Sequence, residues 1–130
     1  MTITLGQRSL NRLNGVHPDL VRVVKRAAAI SDLDFSVLEG VRTVERQKEL
    51  VKQGASKTMN SRHITGHAVD IAPVINGKIS WDWPVYYRLA KIIKAAAADE
   101  KVPLQWGGDW RSFKDGPHWE LPWKFYSKEK

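Results

Sequence analysis

His63-Ile64-Thr65-Gly66-His67-Ala68-Val69-Asp70-Ile71-Ala72-Pro73 reads as a loop feeding a strand. Gly66 makes the first half compact, and from Ala68 onward side chains should alternate between two faces. In that alternation Val69 and Ile71 face a core while Asp70 points the other way. Just downstream, Asn76-Gly77 between Val74-Ile75 and Lys78-Ile79 is a strong two-residue hairpin signal, so a tight antiparallel return is expected.

Working outward toward the N-terminus, Asp34 to Arg42 also alternates, with Phe35, Val37 and Val41 on one face and Ser36 and Gly40 on the other, and reads as a strand. Thr43 is placed to cap a helix running to about Gln53, with Glu45 in its first turn and Gly54 at the left-handed position after it. An earlier helix follows His17-Pro18-Asp19, where Leu20, Val23, Val24, Ala27 and Ala28 recur at helical spacing. Toward the C-terminus Pro84 opens a third helix, in which Val85, Leu89, Ile92, Ile93, Ala96 and Ala97 keep the period until Pro103 forbids continuation. Two short strands, Leu104 to Trp106 and His118 to Leu121, flank the turn Gly107-Gly108-Asp109.

Three helices and four or five short strands, not in strict alternation, predict an α+β domain with helices on a small, mostly antiparallel sheet. The length of 130 residues suits one domain over residues 1–130, and neither a repeat nor a linker divides it. With 42% hydrophobic and 27% charged residues the chain is too apolar for disorder. No stretch approaches a membrane span, and Met1 to Leu13 has no apolar run of the kind a secretory signal needs. Stable membrane insertion is therefore not expected, and synthesis in the cytoplasm is.

The absence of cysteine excludes disulfides, thiolate metal sites and a cysteine nucleophile, so any metal must be held by histidine and carboxylate. A hydrolytic zinc ion commonly takes three such ligands and keeps a fourth position open. His63, Asp70 and His118 can supply that set, because Asp70 and His118 converge if their strands pair and the loop at Gly66 returns His63 to the same point. The plain alternative for each is a surface or hydrogen-bonded polar residue. His67 completes H-x-x-x-H with His63, but Ile64 stands where zinc peptidases need glutamate and Gly66 interrupts the turn, so His67 reads as a neighbour and not a ligand. A base for water should be a carboxylate close to the metal without binding it. Asp115 is so placed, with Glu120 as its rival on the His118 face; Asp115-Gly116-Pro117 is also good turn chemistry in its own right.

Ser61-Arg62-His63-Ile64-Thr65-Gly66-His67-Ala68-Val69-Asp70 reads S-x-H-x-x-G-x-A-x-D, and Asp115-Gly116-Pro117-His118 reads D-x-x-H. Together they resemble the zinc-dependent peptidoglycan peptidases of the VanY and VanX type, the LAS metallopeptidases. The similarity extends to Glu39-Gly40-Val41-Arg42-Thr43 with Gln47 and to Trp106-Gly107-Gly108-Asp109-Trp110, and so covers nearly the whole chain. Within that family it looks most like the short L-alanyl-D-glutamate endopeptidases used as phage endolysins. The resemblance implies that His63, Asp70 and His118 ligate Zn2+ and that Asp115 is the general base, where many members have glutamate. It implies that Arg42 steadies the scissile carbonyl oxygen or a substrate carboxylate, and that Ser61, with Ser56 as a weaker candidate, contacts substrate.

The implied partner is bacterial peptidoglycan, cut by a monomer that reaches the cell wall or periplasm with the help of a separate membrane-disrupting protein. A D-alanyl-D-alanine carboxypeptidase or dipeptidase of the same fold is the nearest alternative. A different class is a basic module: the +7 charge and six tryptophans could bind nucleic acid, but the charge is spread over both halves of the chain and no matching motif is present. No nucleic-acid partner is therefore expected. Most of the tryptophans should fill core, with Trp106 and Trp110 as candidates to line a substrate groove, and the basic tail Lys124 to Lys130 should be a solvated end.

Overall fold

The turn at Asn76-Gly77 closes with both residues at positive φ, 51° and 79°, the backbone a two-residue primed turn requires. A computed structural model describes residues 3–56, 61–112 and 114–126 of the chain. Along it run α1 (Gln7–Arg12), α2 (Pro18–Ile30), β1 (Phe35–Glu39), α3 (Val44–Lys52), β2 (Ala68–Ile75), β3 (Lys78–Ile79), α4 (Trp83–Glu100), β4 (Gln105–Trp106) and β5 (His118–Glu120), with a 3-10 turn at Gly107–Asp109. The sheet order is β1-β2-β5-β4, with β3 on the far end of β2, and every pairing is antiparallel. The α+β class expected from the sequence is the class observed.

β2 is the centre of this arrangement, pairing with β1, β3 and β5. Val69 and Ile71 point into the core with Leu20, Val23, Val24 and Ala27 of α2 and Leu89, Ile93 and Ala96 of α4. Each of the fully buried valine, leucine and isoleucine side chains contributes roughly 1.5–3 kcal/mol. α2 starts where Pro18 sits in its first turn and the His17 ring accepts from the Asp19 amide at 3.1 Å. α3 is capped as its sequence foretold, the Thr43 hydroxyl accepting from the Arg46 amide at 3.1 Å and Gly54 following at φ +79°.

Two features depart from expectation. The strand over Asp34 to Arg42 ends at Glu39, because a bulge between Val37 and Glu39 breaks the two-residue alternation. Gly40 therefore turns inward, where a Cβ would stand 1.9 Å from the Arg12 carbonyl oxygen, and Val41, expected beside Phe35 and Val37, is 44% exposed. The second is α1, which adds a short helix to the three expected. It has no side-chain cap and only six residues, too few for stability of its own. Tertiary bonds hold it: the Ser9 hydroxyl accepts from the Val37 amide at 3.0 Å and Arg12 Nη1 donates to the Val37 carbonyl at 2.9 Å. These bonds also cover polar groups on the outer edge of β1.

The chain end is anchored at its start. Lys124 and Phe125 are exposed as the sequence suggested, but Tyr126 packs against the core and donates to Asp19 at 2.7 Å; residues 127–130 of that reading lie outside the described residues.

Candidate metal centre

β2 and β5 pair with Asp70 directly opposite His118. Asp70 Oδ1 lies 3.5 Å from His118 Nδ1 and 3.3 Å from His63 Nε2, and the two imidazole centroids are 5.1 Å apart. His63 sits in the loop before β2, its amide donating to Ser61 Oγ at 3.2 Å. Its Nδ1 is 2.9 Å from the Gly40 carbonyl, which can only accept, so Nδ1 carries the proton and Nε2 presents a lone pair. His118 is oriented in the same manner, its Nε2 2.7 Å from Glu120 Oε1, which leaves Nδ1 toward Asp70. Ligand imidazoles in metal sites use their second nitrogen in this way.

Among the described residues His63, Asp70 and His118 form a group that could hold a metal ion, with one donor atom from each within 4.8 Å of the others. His63 Nε2 and Asp70 Oδ1 are buried and lack a hydrogen-bond partner among the described residues, although they face each other. A histidine lone pair facing a carboxylate oxygen in a buried site is costly unless a cation completes the set. The 3.3 and 3.5 Å separations match the edge of a tetrahedron with metal bonds of about 2.0–2.1 Å, roughly 3.3–3.4 Å. The donor set therefore fits a zinc-type ion.

Burial pushes the Asp70 carboxyl up, but its polar contacts with His118 and His63 outweigh this and hold it well below the ordinary carboxylate range. Burial pushes His118 down, and its bonds to Asp70 and Glu120 overcome that and raise it to about 9. The metal-free pair thus stores a proton that a metal must displace.

Around this centre stand the other residues singled out in the sequence. Asp115 begins the turn into β5, its carbonyl accepting from the His118 amide at 3.2 Å and its amide donating to the Gly107 carbonyl at 3.1 Å. Burial raises the Asp115 carboxyl, and the Asp70 charge adds to the rise. Gly107 is the reason the turn can close: a Cβ there would be 2.4 Å from the Asp115 carbonyl oxygen and 3.0 Å from His118 Cβ. Arg42 reaches the site from the opposite side, with Nη2 3.9 Å from Asp70 Oδ2. It is held by Glu39 through Nε and by Gln47 Oε1, 2.8 Å from Nη1, with Ser61 Oγ 3.5 Å away. Gln47, fully buried, also donates to Ser56 Oγ at 2.8 Å. Ser56, Gln47, Arg42 and Ser61 are thus one hydrogen-bonded chain ending at Asp70.

Glu120, the rival base, lies 2.7 Å from Nε2 of His118, the ring nitrogen turned away from Asp70, and is 8% exposed. Trp106 is no groove wall: it is 3% exposed, stacks on Trp119 at 5.7 Å and donates to the Gly116 carbonyl at 2.7 Å. Trp110 does stand at the site, 5.1 Å from His118 ring to ring. His67 lies outside the metal group, as expected, with Nδ1 2.6 Å from Thr65 Oγ1. The supporting roles of Gly40, Gln47 and Glu120 were not read from the sequence, because each depends on which backbone or ring edge faces it.

A histidine–carboxylate–histidine group at the meeting of two central strands, beside a half-buried carboxylate and an arginine, is an arrangement able to serve as a hydrolytic metal centre. Residues 1–124 match the family model described as phage L-alanyl-D-glutamate peptidase, and the chain belongs to that family. It is 35% identical over 119 residues to the L-alanyl-D-glutamate peptidase of Escherichia phage T5, covering 88% of this chain and 87% of that protein. The peptidoglycan L-alanyl-D-glutamate endopeptidase CwlK of Bacillus subtilis (strain 168) is 33% identical over 111 residues, 75% of this chain and 66% of that one. Among solved structures, the Serratia marcescens L-Ala D-Glu endopeptidase ChiX superposes with a TM-score of 0.88 at 46% identity, over 92% of this chain and 90% of that one.

Proposed function

We infer that this protein is a zinc-dependent endopeptidase that hydrolyses the L-alanyl-D-glutamate bond in the peptide stem of bacterial peptidoglycan. The observation that carries this is the convergence of His63 Nε2, Asp70 Oδ1 and His118 Nδ1, with matching donor distances, in a chain of this peptidase family. In this reading those three residues hold the ion. When bound, zinc supplies a Lewis acid for the amide carbonyl and lowers the pKa of water.

The remaining steps belong to the protein's own groups. Asp115 accepts a proton from the attacking water as its oxygen bonds to the L-alanine carbonyl carbon. It then delivers that proton to the D-glutamate nitrogen as the carbon–nitrogen bond breaks. A carboxyl group whose pKa is raised by burial and by Asp70 is suited to both halves of this exchange. Arg42, fixed by Glu39 and Gln47, holds the carbonyl oxygen or a carboxylate of the stem, and Ser61 and Ser56 supply polar contacts on the same side. The protein acts as a monomer at the wall, reached through a separate membrane-disrupting protein.

Mass spectrometry of digested muropeptides tests the bond. New N-terminal D-glutamate supports the assignment, and release of D-alanine in its place would refute it. Metal analysis of the purified protein, with activity measured after chelation and after zinc is restored, tests the ion.

A further inference from the structure

Trp81, Trp83 and Tyr87 stand on the surface where the β3 hairpin leads into α4, 63%, 39% and 48% exposed. Clustered exposed aromatics mark interaction sites. The Tyr86 ring lies 6.4 Å from Trp81 and 6.1 Å from Trp83, Trp83 and Tyr87 are 5.8 Å apart, and Trp83 and Tyr87 rest on the buried Trp106 at 6.4 and 5.6 Å. Tyr86 itself is 4% exposed. Gly116 lies against its ring, where an added Cβ would be 3.3 Å from the ring carbons. Since Gly116 follows Asp115, the shelf is one aromatic ring removed from the turn that carries Asp115 and His118. An open depression beside Trp81 is lined by Lys78, Ser80 and Asp82 together with Ile75 and Ile79.

Flat amphipathic rings bordered by a hydroxyl, a carboxylate and an ammonium suit a pyranose, whose C–H face packs on an aromatic and whose hydroxyl and acetamido groups need polar partners. The chemistry of the stem brings such a ring close. L-alanine is joined through its nitrogen to the lactyl group of muramic acid, so the sugar ring begins about 7 Å from the scissile carbonyl, two extended residue lengths. We propose that Trp81, Trp83 and Tyr87 form a subsite for the glycan strand, with Lys78, Ser80 and Asp82 meeting its polar groups. The proposal rests on the peptidase reading above and names the part of the substrate that reading leaves out. An anionic membrane is a poorer occupant, because Asp82 offsets the charge of Lys78 within the depression and leaves no net positive patch there.

The test compares two substrates in the zinc-loaded protein: a disaccharide-bearing muropeptide and the same stem peptide without sugar. The parent is expected to favour the sugar-bearing substrate at least tenfold in kcat/KM, mostly through KM. Trp81→Ala and Tyr87→Ala should bring that preference near unity while cleaving the sugar-free stem at the parent rate. Equal kcat/KM on both substrates in the parent, or a preference that survives both substitutions, overturns the subsite. Tryptophan fluorescence titrated with the free N-acetylglucosaminyl-N-acetylmuramic acid disaccharide gives a readout independent of turnover: saturable quenching, lost in Trp81→Ala, supports the shelf, and no response overturns it. Cleavage of neither substrate alongside saturable quenching would fault the peptidase reading alone. Loss of vesicle binding in Trp81→Ala with the sugar preference intact would reassign the shelf to lipid.

Discussion

Asp70 and His118 are direct partners across the β2–β5 ladder, with Asp70 Oδ1 3.5 Å from His118 Nδ1. A slip of one residue in that register would turn one of the two side chains to the opposite face of the sheet. The same pairing that buries Val69 and Trp119 therefore also assembles the site.

This pairing gives the metal-free protein a characteristic pH dependence. His118 is raised to about 9 from 6.5, so its contribution is complete below pH 6.5 and lost as the pH rises through 9. Asp70 is depressed, so its contribution is present above its ordinary 3.8 and lost as the pH falls below that. Chelated protein should accordingly be most stable between about pH 4 and 6.5 and lose on the order of 2 kcal/mol by pH 9. Thermal melts in chelator across this range check the sign, and a melting temperature that climbed from pH 6.5 to 9 would contradict it. Zinc loading at pH 7 should release about one proton, measurable by titration in lightly buffered solution.

Asp115→Asn should abolish turnover by at least about 100-fold while zinc content is retained. Because burial disfavours the charged form of Asp115, the neutral amide should leave the melting temperature unchanged or higher at pH 7. A variant with near-parental kcat would remove Asp115 from the role of base.

Glu120→Gln separates a supporting carboxylate from a reacting one. Loss of the anionic partner of His118 Nε2 should weaken zinc binding about 10- to 100-fold, with kcat largely recovered at saturating zinc. If turnover stayed abolished with the site fully loaded, Glu120 would have a direct part in the reaction.

Gly107→Ala inserts a methyl group where the Asp115 carbonyl oxygen and His118 Cβ already crowd the backbone. The turn must shift, at a cost of about 1–3 kcal/mol, and it carries one proposed ligand and the proposed base with it. Denaturant unfolding and zinc titration on the same variant should both report the loss. Gly54→Ala, which meets no atom within 4 Å but sits at φ +79°, should cost stability without changing zinc affinity.

Elements governed by local rules were readable in the chain: the Asn76-Gly77 turn, the Thr43 cap, and Asp70 and His118 each set apart from flanking core residues. What escaped was set by contacts between distant segments. The bulge after Val37 sends Val41 outward although its spacing matches the core face. α1 has no cap signal and forms because Ser9 and Arg12 find the edge of β1. Trp106 looks like a groove residue beside its glycines, and only the Trp119 ring behind it shows that it is core.

Gly40 gives α1 a further importance. Its carbonyl fixes the tautomer of His63, and its Cα is pressed against the Arg12 carbonyl at the end of that short helix. A minimal fragment trimmed to begin after residue 12 would retain every chemically active side chain named above, yet lose the buttress that keeps one imidazole aimed. In this protein α1 is part of the machine tool's bed, and removing it trades alignment for compactness.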